Sequence, residues 1–436
     1  MVSNTVAFCA DNKIYNAKSI TLPNAMQVVV VENPRTPAVT HMVWYRIGGA
    51  DEIQGESGLA HYLEHLMFKG TDLVAPGDFS KKVKSWGGND NAFTSWDFTA
   101  YFQTVPKDKL ESVMIMEADR MRGLNFADAD ALTERDVVVQ ERRQRTDSNP
   151  SAQLGEAMRA ALFPNHPYSR PIIGWDNELQ LLNPTAARAF YKKYYAPKNA
   201  VLVVSGDVDA KDVFEQAAII YGKIENEGAL GRPKWSSVPR VYGEVIVAHK
   251  HESIEQPQWR KLYRAPGVGQ DYKKSLTLAI ADNIIGGSTG RLYQSLVVDK
   301  QLASSAGLHY SGIGVADGTV SVGVTPLDGI TMEQISNAVE NVLSDVAQNG
   351  VTEGEVKKSI AKLQDESVYE RDSLTGPAMM LGYQLISGLE LDKIEGWANE
   401  LEQVTVQDVQ DVVNDYLVSD ASNYHAVTGH LLPKDK

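Results

Sequence analysis

One cysteine, Cys9, stands among 436 residues, which excludes an internal disulfide framework and any zinc site built from several thiolates. The same scarcity suits a reducing or an oxidising compartment, so it leaves location open. Basic side chains are outnumbered, 42 against 56 acidic, for a net charge of −14, and no Lys/Arg-rich run could follow a phosphate backbone. Nucleic acid and anionic membrane surfaces are not expected partners. Also missing is an apolar run approaching the ~20 residues a bilayer-crossing helix needs. The opening MVSNTVAFCADNK is too short and too polar for an intact signal peptide. The expectation is a protein without a membrane span, cytoplasmic, or periplasmic after removal of a signal.

What is present is a chain with 43% hydrophobic residues, enough for a large core and too long for one ordinary domain. MQVVVVENP (26–34) and THMVWYRIG (40–48) read as two adjacent strands. NAFTSWDFTAYFQTV (91–105) reads as a second strand pair entered through the glycines of SWGGND, with Thr99, Tyr101 and Gln103 alternating against Ala100, Phe102 and Thr104. From Asp128 to Thr146 the pattern is charged and free of Gly and Pro, a helix with one polar face. AVLVVSGDVD (200–209) reads as a buried strand ending in a turn.

The segment 223–240, rich in Gly, Pro and Ser, reads as a linker between a domain at 15–222 and a second at 241–432. After it the pattern restarts. EVIVAHKH (244–251) and QWRKLYRAP (258–266) again suggest a strand pair, and SLTLAIADNIIGG (275–287) a helix. The predicted architecture is α+β: two similar domains, each a mainly antiparallel sheet with helices packed on one face, enclosing a cavity.

The stretch GLAHYLEHLMFKGT (58–71) carries the chemistry. On a helix His61 and His65, at i and i+4, lie about 40° apart around the axis, so both imidazoles reach one ion. Glu64 falls near the same face and is placed to take a proton from an attacking water. Two histidines and a glutamate can also be a solvated helix edge, but ligand spacing in HxxEH favours the metal. A catalytic zinc site wants a third protein ligand. LTERDVVVQERRQ offers Glu134 and Glu141, about two helical turns apart on one face: one to bind, the other to orient a ligand or water. The second half's corresponding helix has neither histidine nor glutamate, so the chemistry belongs to the first.

The sequence resembles the inverted-motif zinc peptidases of the pitrilysin family, in the branch similar to mitochondrial processing peptidase and its bacterial relatives. The likeness rests on HYLEH with LMFKGT, GGNDNAFTSWDFTAYF, Glu141, FPNHPYSRPIIGW (163–175) and YYAPKNAVLVVSGDVD (194–209). It covers the first half and, more loosely, the second. The resemblance implies a Zn2+-dependent endopeptidase with His61, His65 and Glu141 as metal ligands, Glu64 as general base and Glu134 as a supporting carboxylate. It further implies that Asn91, Ala92, Phe93 and Thr94 form a sheet edge to which an extended peptide adds as a strand. His166 and Tyr168 read as packing and hydrogen-bonding residues.

The second half departs from the family. Relatives carry a motif like RLFQELREKRGLAYS, whose second arginine and later tyrosine hold the substrate carbonyl. Here RLYQSLVVDKQLASS (291–305) has Val297 and Ser304 at those positions. Valine donates nothing to a developing oxyanion, and losing one such donor commonly costs ~10²–10³ in rate. Three readings follow. The chain is a zinc-bearing subunit whose homologous partner supplies the Arg/Tyr pair, or a non-catalytic assembly or binding protein of this fold, or a self-sufficient homodimer using other donors such as His309 or Tyr310. The acidic balance hints at basic substrates.

Overall fold

The computed structural model describes residues 13–227, 231–232, 234–418 and 426–434; Cys9 lies outside them, as do four positions of the 223–240 segment. Two sheets organise the chain. The first contains β1 (Lys18–Thr21), β2 (Gln27–Glu32), β3 (Ala38–Tyr45), β4 (Asn89–Thr94), β5 (Thr99–Pro106) and β6 (Ala200–Gly206), in the order β1-β2-β6-β3-β5-β4. The second contains β7 (Ile246–His251), β8 (Gln258–Ala265), β9 (Ala303–Ser311), β10 (Gly318–Pro326) and β11 (Ala426–Pro433), in the order β7-β11-β8-β10-β9. Deleting β1 makes the two orders superimpose strand for strand. In each, one strand pair is parallel and the rest antiparallel. The two halves therefore share one topology, as the restart of the pattern suggests.

The expected adjacency of β2 with β3, and of β7 with β8, is corrected. In both sheets the last strand of the half inserts between them: β6 runs parallel to β2 and antiparallel to β3, and β11 does the same between β7 and β8. The physical reason lies in β6, which is buried along its whole length and needs ladder partners on both sides. A local pattern carries no trace of a partner that arrives more than a hundred residues later. The β4–β5 hairpin forms as predicted, in register from Asn89↔Thr104 to Thr94↔Thr99, and β4 is the edge of its sheet.

Helices of each half pack on one face of their own sheet. In the first, Leu59, Leu63 and Leu66 join Val28, Val43 and Tyr101; in the second, Ile280, Ile284 and Val339 join Tyr263 and Val322. The opposite face of each sheet is covered by a helix from the other half. Helix Gly376–Ile386 lays Ala378, Leu381 and Leu385 on Val29, Trp44 and Val203. Helix Pro150–Leu162 lays Leu154 and Met158 on Val427 and Leu431. Both crossings depend on a glycine: a Cβ at Gly382 would lie 2.0 Å from the Trp44 ring, and one at Gly429 2.2 Å from Met158 Sδ. Trp44, wholly buried, meets Phe93, Phe98 and Tyr383 edge-on at 5.4, 5.3 and 4.9 Å between centroids, each pair adding about 0.5–1.5 kcal/mol beyond burial.

Helix Asp128–Arg142 ends in a π-helical turn, Arg143–Asp147, where the sequence predicts a regular helix through Thr146. Such widened turns re-aim side chains and cluster at functional sites; this one starts two residues after Glu141. Within 223–240, Trp235 stacks edge-on with His166 at 5.5 Å, and Arg232 pairs with Asp97 at 2.5 Å. These two residues are thus docked on the first half. Among the described residues no helix is long and apolar enough to cross a membrane.

Candidate metal centre

The short helix Leu59–Leu66 is apolar on one side, with Leu59, Leu63 and Leu66 in the core. Gly58, at its start, takes φ +88°, and a Cβ there would meet Ile173 O at 2.6 Å, so the helix begins against the 172–174 loop in a way only glycine permits. No side chain at the usual capping position serves it. Instead Glu52, buried in the preceding loop, accepts from the Gly58 and Ala60 N–H groups at 3.1 and 2.8 Å. These are donors a helix start leaves open, and a carboxylate there also suits the helix dipole. Burial nonetheless pushes the Glu52 carboxyl up to about 8.

From this helix His61 and His65 project together, rings 4.8 Å apart, toward Glu141. His65 Nε2 lies 3.3 Å and His61 Nε2 3.7 Å from Glu141 Oε2. Bonds of about 2.0–2.1 Å in a tetrahedron separate neighbouring donor atoms by roughly 3.3–3.4 Å; the His65–Glu141 pair matches this, the His61–Glu141 pair is slightly wider, and all three donor atoms lie within 4.8 Å of one another. His61, His65 and Glu141 also form the only group of three or more candidate metal-binding side chains among the described residues. Burial, then the neighbouring His65, lowers His61 to about 4, leaving it neutral and able to ligate at pH 7.

His65 is oriented from behind. Its Nδ1 meets Glu134 Oε1 at 2.9 Å, and the other Glu134 oxygen pairs with Lys69 Nζ. Although burial pulls the imidazole down, its hydrogen bonds to Glu134 and Glu141 push His65 up to about 9. Burial works against the Glu134 charge too, but hydrogen bonds from His65 and Lys69 hold it below the usual carboxylate range. His61 has no such support: its Nδ1 is buried without a hydrogen-bond partner.

Glu64 lines the same cleft and is not one of the three clustered donors. Its Oε2 accepts from Thr94 Oγ1 at 2.5 Å; burial pushes its carboxyl up while the Thr94 hydroxyl pulls it back. His61, Glu64, His65 and Glu141 share a cavity of about 680 Å³ with Asn91, Ala92, Phe93, Thr94, Arg145, Thr146, Ile172 and Ile173. The structure therefore gathers His61, Glu64, His65, Glu141 and Asn91–Thr94 around one cleft, with Glu134 reaching it only through His65. Sequence reasoning missed Glu52, Lys69 and Arg145. Lys69 lies i+4 from His65 on the quoted stretch and was open to notice; Glu52 bears no fixed spacing to the helix it caps.

The second-half residues lie elsewhere. Val297 is half-buried against the second core, and Ser304 sits exposed on β9, its hydroxyl donating to Thr325 O at 3.3 Å. Tyr310 is turned inward, its hydroxyl donating to Pro266 O at 2.5 Å, so it is not available as a substrate donor. His309 is exposed on the same strand, with Nδ1 3.3 Å from Asp282 Oδ2. His166 and Tyr168 serve packing and hydrogen bonding as read, with Tyr168 donating to Asp97 and accepting from Ala316 N.

The sequence matches two family models in tandem, "Insulinase (Peptidase family M16)" over residues 27–176 and "Peptidase M16 inactive domain" over 182–363. It is 30% identical to the zinc protease PqqE of Helicobacter pylori, over 92% of this chain and 90% of that one. To the mitochondrial-processing peptidase subunit beta of Blastocladiella emersonii it is 25% identical, over 91% and 85%. The crystal structure of a protease from Helicobacter pylori superposes with a TM-score of 0.88 at 27% identity, over 96% of this chain and 99% of that one. With a matched pair of family domains and relatives aligned along nearly its whole length, the chain belongs to peptidase family M16, the pitrilysin family.

Proposed function

We propose that the chain is the zinc-binding subunit of a metalloendopeptidase that hydrolyses peptides or unfolded segments, and that its division into domains follows 15–222 and 241–432 with a connecting segment between. The observation that carries the reading is the donor triad of His61, His65 and Glu141 at metal spacing with an unligated carboxylate, Glu64, in the same cleft. When bound, zinc polarises the scissile carbonyl and acidifies the attacking water. His61, His65 and Glu141 would hold the ion; Glu134 fixes the ring of His65 by accepting a hydrogen bond from its Nδ1–H, and Lys69 keeps Glu134 anionic. Glu64 takes the proton of the attacking water and passes it to the leaving amine. Burial raises its proton affinity, which suits the second transfer, and Thr94 holds it in place. The free edge of β4 at Asn91–Thr94 pairs with the substrate main chain, which holds many sequences equally and keeps the peptide extended across the cleft.

The oxyanion donors are proposed to come from a homologous second subunit, because Val297 and Ser304 stand where relatives carry arginine and tyrosine. Mixing tests this. The isolated chain should bind zinc and cleave peptides poorly, and a homologue bearing that pair should restore cleavage by roughly 10²–10³. A homodimer with full activity and no dependence on any partner would overturn the partner requirement.

A further inference from the structure

Among the described residues lining the cleft, the titratable groups are His61, Glu64, His65, Glu141 and Arg145, and Arg145 is the one permanent cation. It projects from the π-helical turn Arg143–Asp147, which carries it to the metal triad. One nitrogen, Nη1, contacts Glu141 Oε1 at 2.6 Å, and the side chain is 74% exposed. A guanidinium offers five N–H donors in a planar fork, so most of this one is presented to the cleft and to water. With a dication, the Glu64 and Glu141 carboxylates and this guanidinium in place, the cleft carries net positive charge, opposite in sign to the chain as a whole. The distant acidic residues do little to offset it, since exposed charges are screened beyond ~8–10 Å.

The substrate path fixes what meets that charge. A peptide added to β4 sends alternate side chains to either face of the sheet. One face bears the helices that hold the triad, with Ala92 packed toward that side, and Arg145, paired with Glu141 of that triad, lines the same cleft as Asn91–Thr94. Resting on the peptidase reading above, we infer that Arg145 selects peptides by binding a carboxylate near the scissile bond, from an Asp or Glu side chain or from the peptide C-terminus. Its planar fork suits two-point recognition of a carboxylate. This reverses the hint of basic substrates taken from overall charge.

The test uses the zinc-loaded protein with whatever subunit co-purifies. Matched peptides carry Glu, Gln or Lys at each position flanking the cut, each with a free or an amidated C-terminus. At one position Glu should be preferred over Gln by roughly tenfold in kcat/KM, carried in KM because the contact is made equally in ground and transition states. Loss of preference on amidation alone assigns the C-terminal carboxylate; loss on Glu→Gln alone assigns the side chain. Arg145→Gln should erase the preference and Arg145→Lys keep only part of it, since an ammonium keeps the charge and loses the fork, with zinc content measured in both; Arg145→Glu, where it retains zinc, should turn the preference to Lys. Peptide binding to Glu64→Gln, followed by fluorescence anisotropy, gives the same ranking without turnover. Cleavage with no acid preference, or an equal fall for all peptides in Arg145→Gln, would overturn the inference and leave the peptidase reading intact. No cleavage of any peptide even with a homologous subunit bearing the Arg/Tyr pair added, with anisotropy still favouring carboxylates, would overturn the peptidase reading and leave carboxylate binding by Arg145 standing.

Discussion

The helix after β3 and the helix after β8 hold the same place in two copies of one topology, yet only the first carries a reactive set. Leu59–Leu66 presents His61, Glu64 and His65 to a cleft. Tyr272–Ile285 is longer and buries Leu276, Leu278, Ile280, Ala281, Ile284 and Ile285. The first stays short because the 172–174 loop and Glu52 fix its start and the chain turns away after Leu66. The second begins with an Asp271 cap whose side chain accepts from Lys274 N. The difference teaches that the fold asks of this position only an apolar inner face, and the outward residues are free for chemistry in one half and absent from it in the other.

Removing a ligand makes the first half resemble the second, and it is the largest effect expected. His65→Ala should abolish stoichiometric zinc binding, read by atomic absorption after dialysis, and with it all cleavage. Glu134→Gln leaves the three proposed ligands but removes the charge behind His65; zinc affinity should fall roughly 10–100-fold, measured by competition with a chelator of known affinity.

The exchanged helices allow a direct comparison of the halves as structures. Gly382→Ala drives a methyl into the fully buried Trp44 ring, which has nowhere to move, and should cost about 3 kcal/mol. Gly429→Ala meets the flexible end of Met158 and should cost about 1 kcal/mol. Urea titration of each variant checks the order; equal costs would mean the two crossings are packed alike.

The pH-dependent effect concerns the cap. Glu52 has a carboxyl raised from 4.5 to about 8, so above pH 4.5 the folded protein holds a proton that the unfolded chain releases. Its contribution to stability therefore falls as pH rises between those values. Thermal melts of Glu52→Gln should show a flatter decline over that window than the wild type.

The legible parts of the molecule were the local ones. HYLEH declared itself because i,i+4 spacing is a property of a single helix, and the β4–β5 hairpin because glycines and alternation sit side by side in sequence. Glu141 and Glu134 were readable as a pair on one face, but their assignment to ligand and support came from resemblance, since spacing alone does not say which helix they approach. The insertion of β6 and β11, and the helices lent across the two sheets, were not legible: each depends on contacts made far along the chain. Glu52 was hidden for a related reason, capping a helix from a loop through backbone atoms that leave no residue pattern.

The central claim, that the first half alone supplies the metal site and its base, is tested most directly by Glu64→Gln, assayed for zinc content and peptide cleavage beside the wild type and in the presence of any co-purifying subunit. The account predicts near-unit zinc stoichiometry with cleavage reduced by about 10²–10⁴ or more, because the substitution removes a proton acceptor and no ligand. Retained cleavage at an appreciable rate, or loss of zinc to the extent seen in His65→Ala, would contradict it.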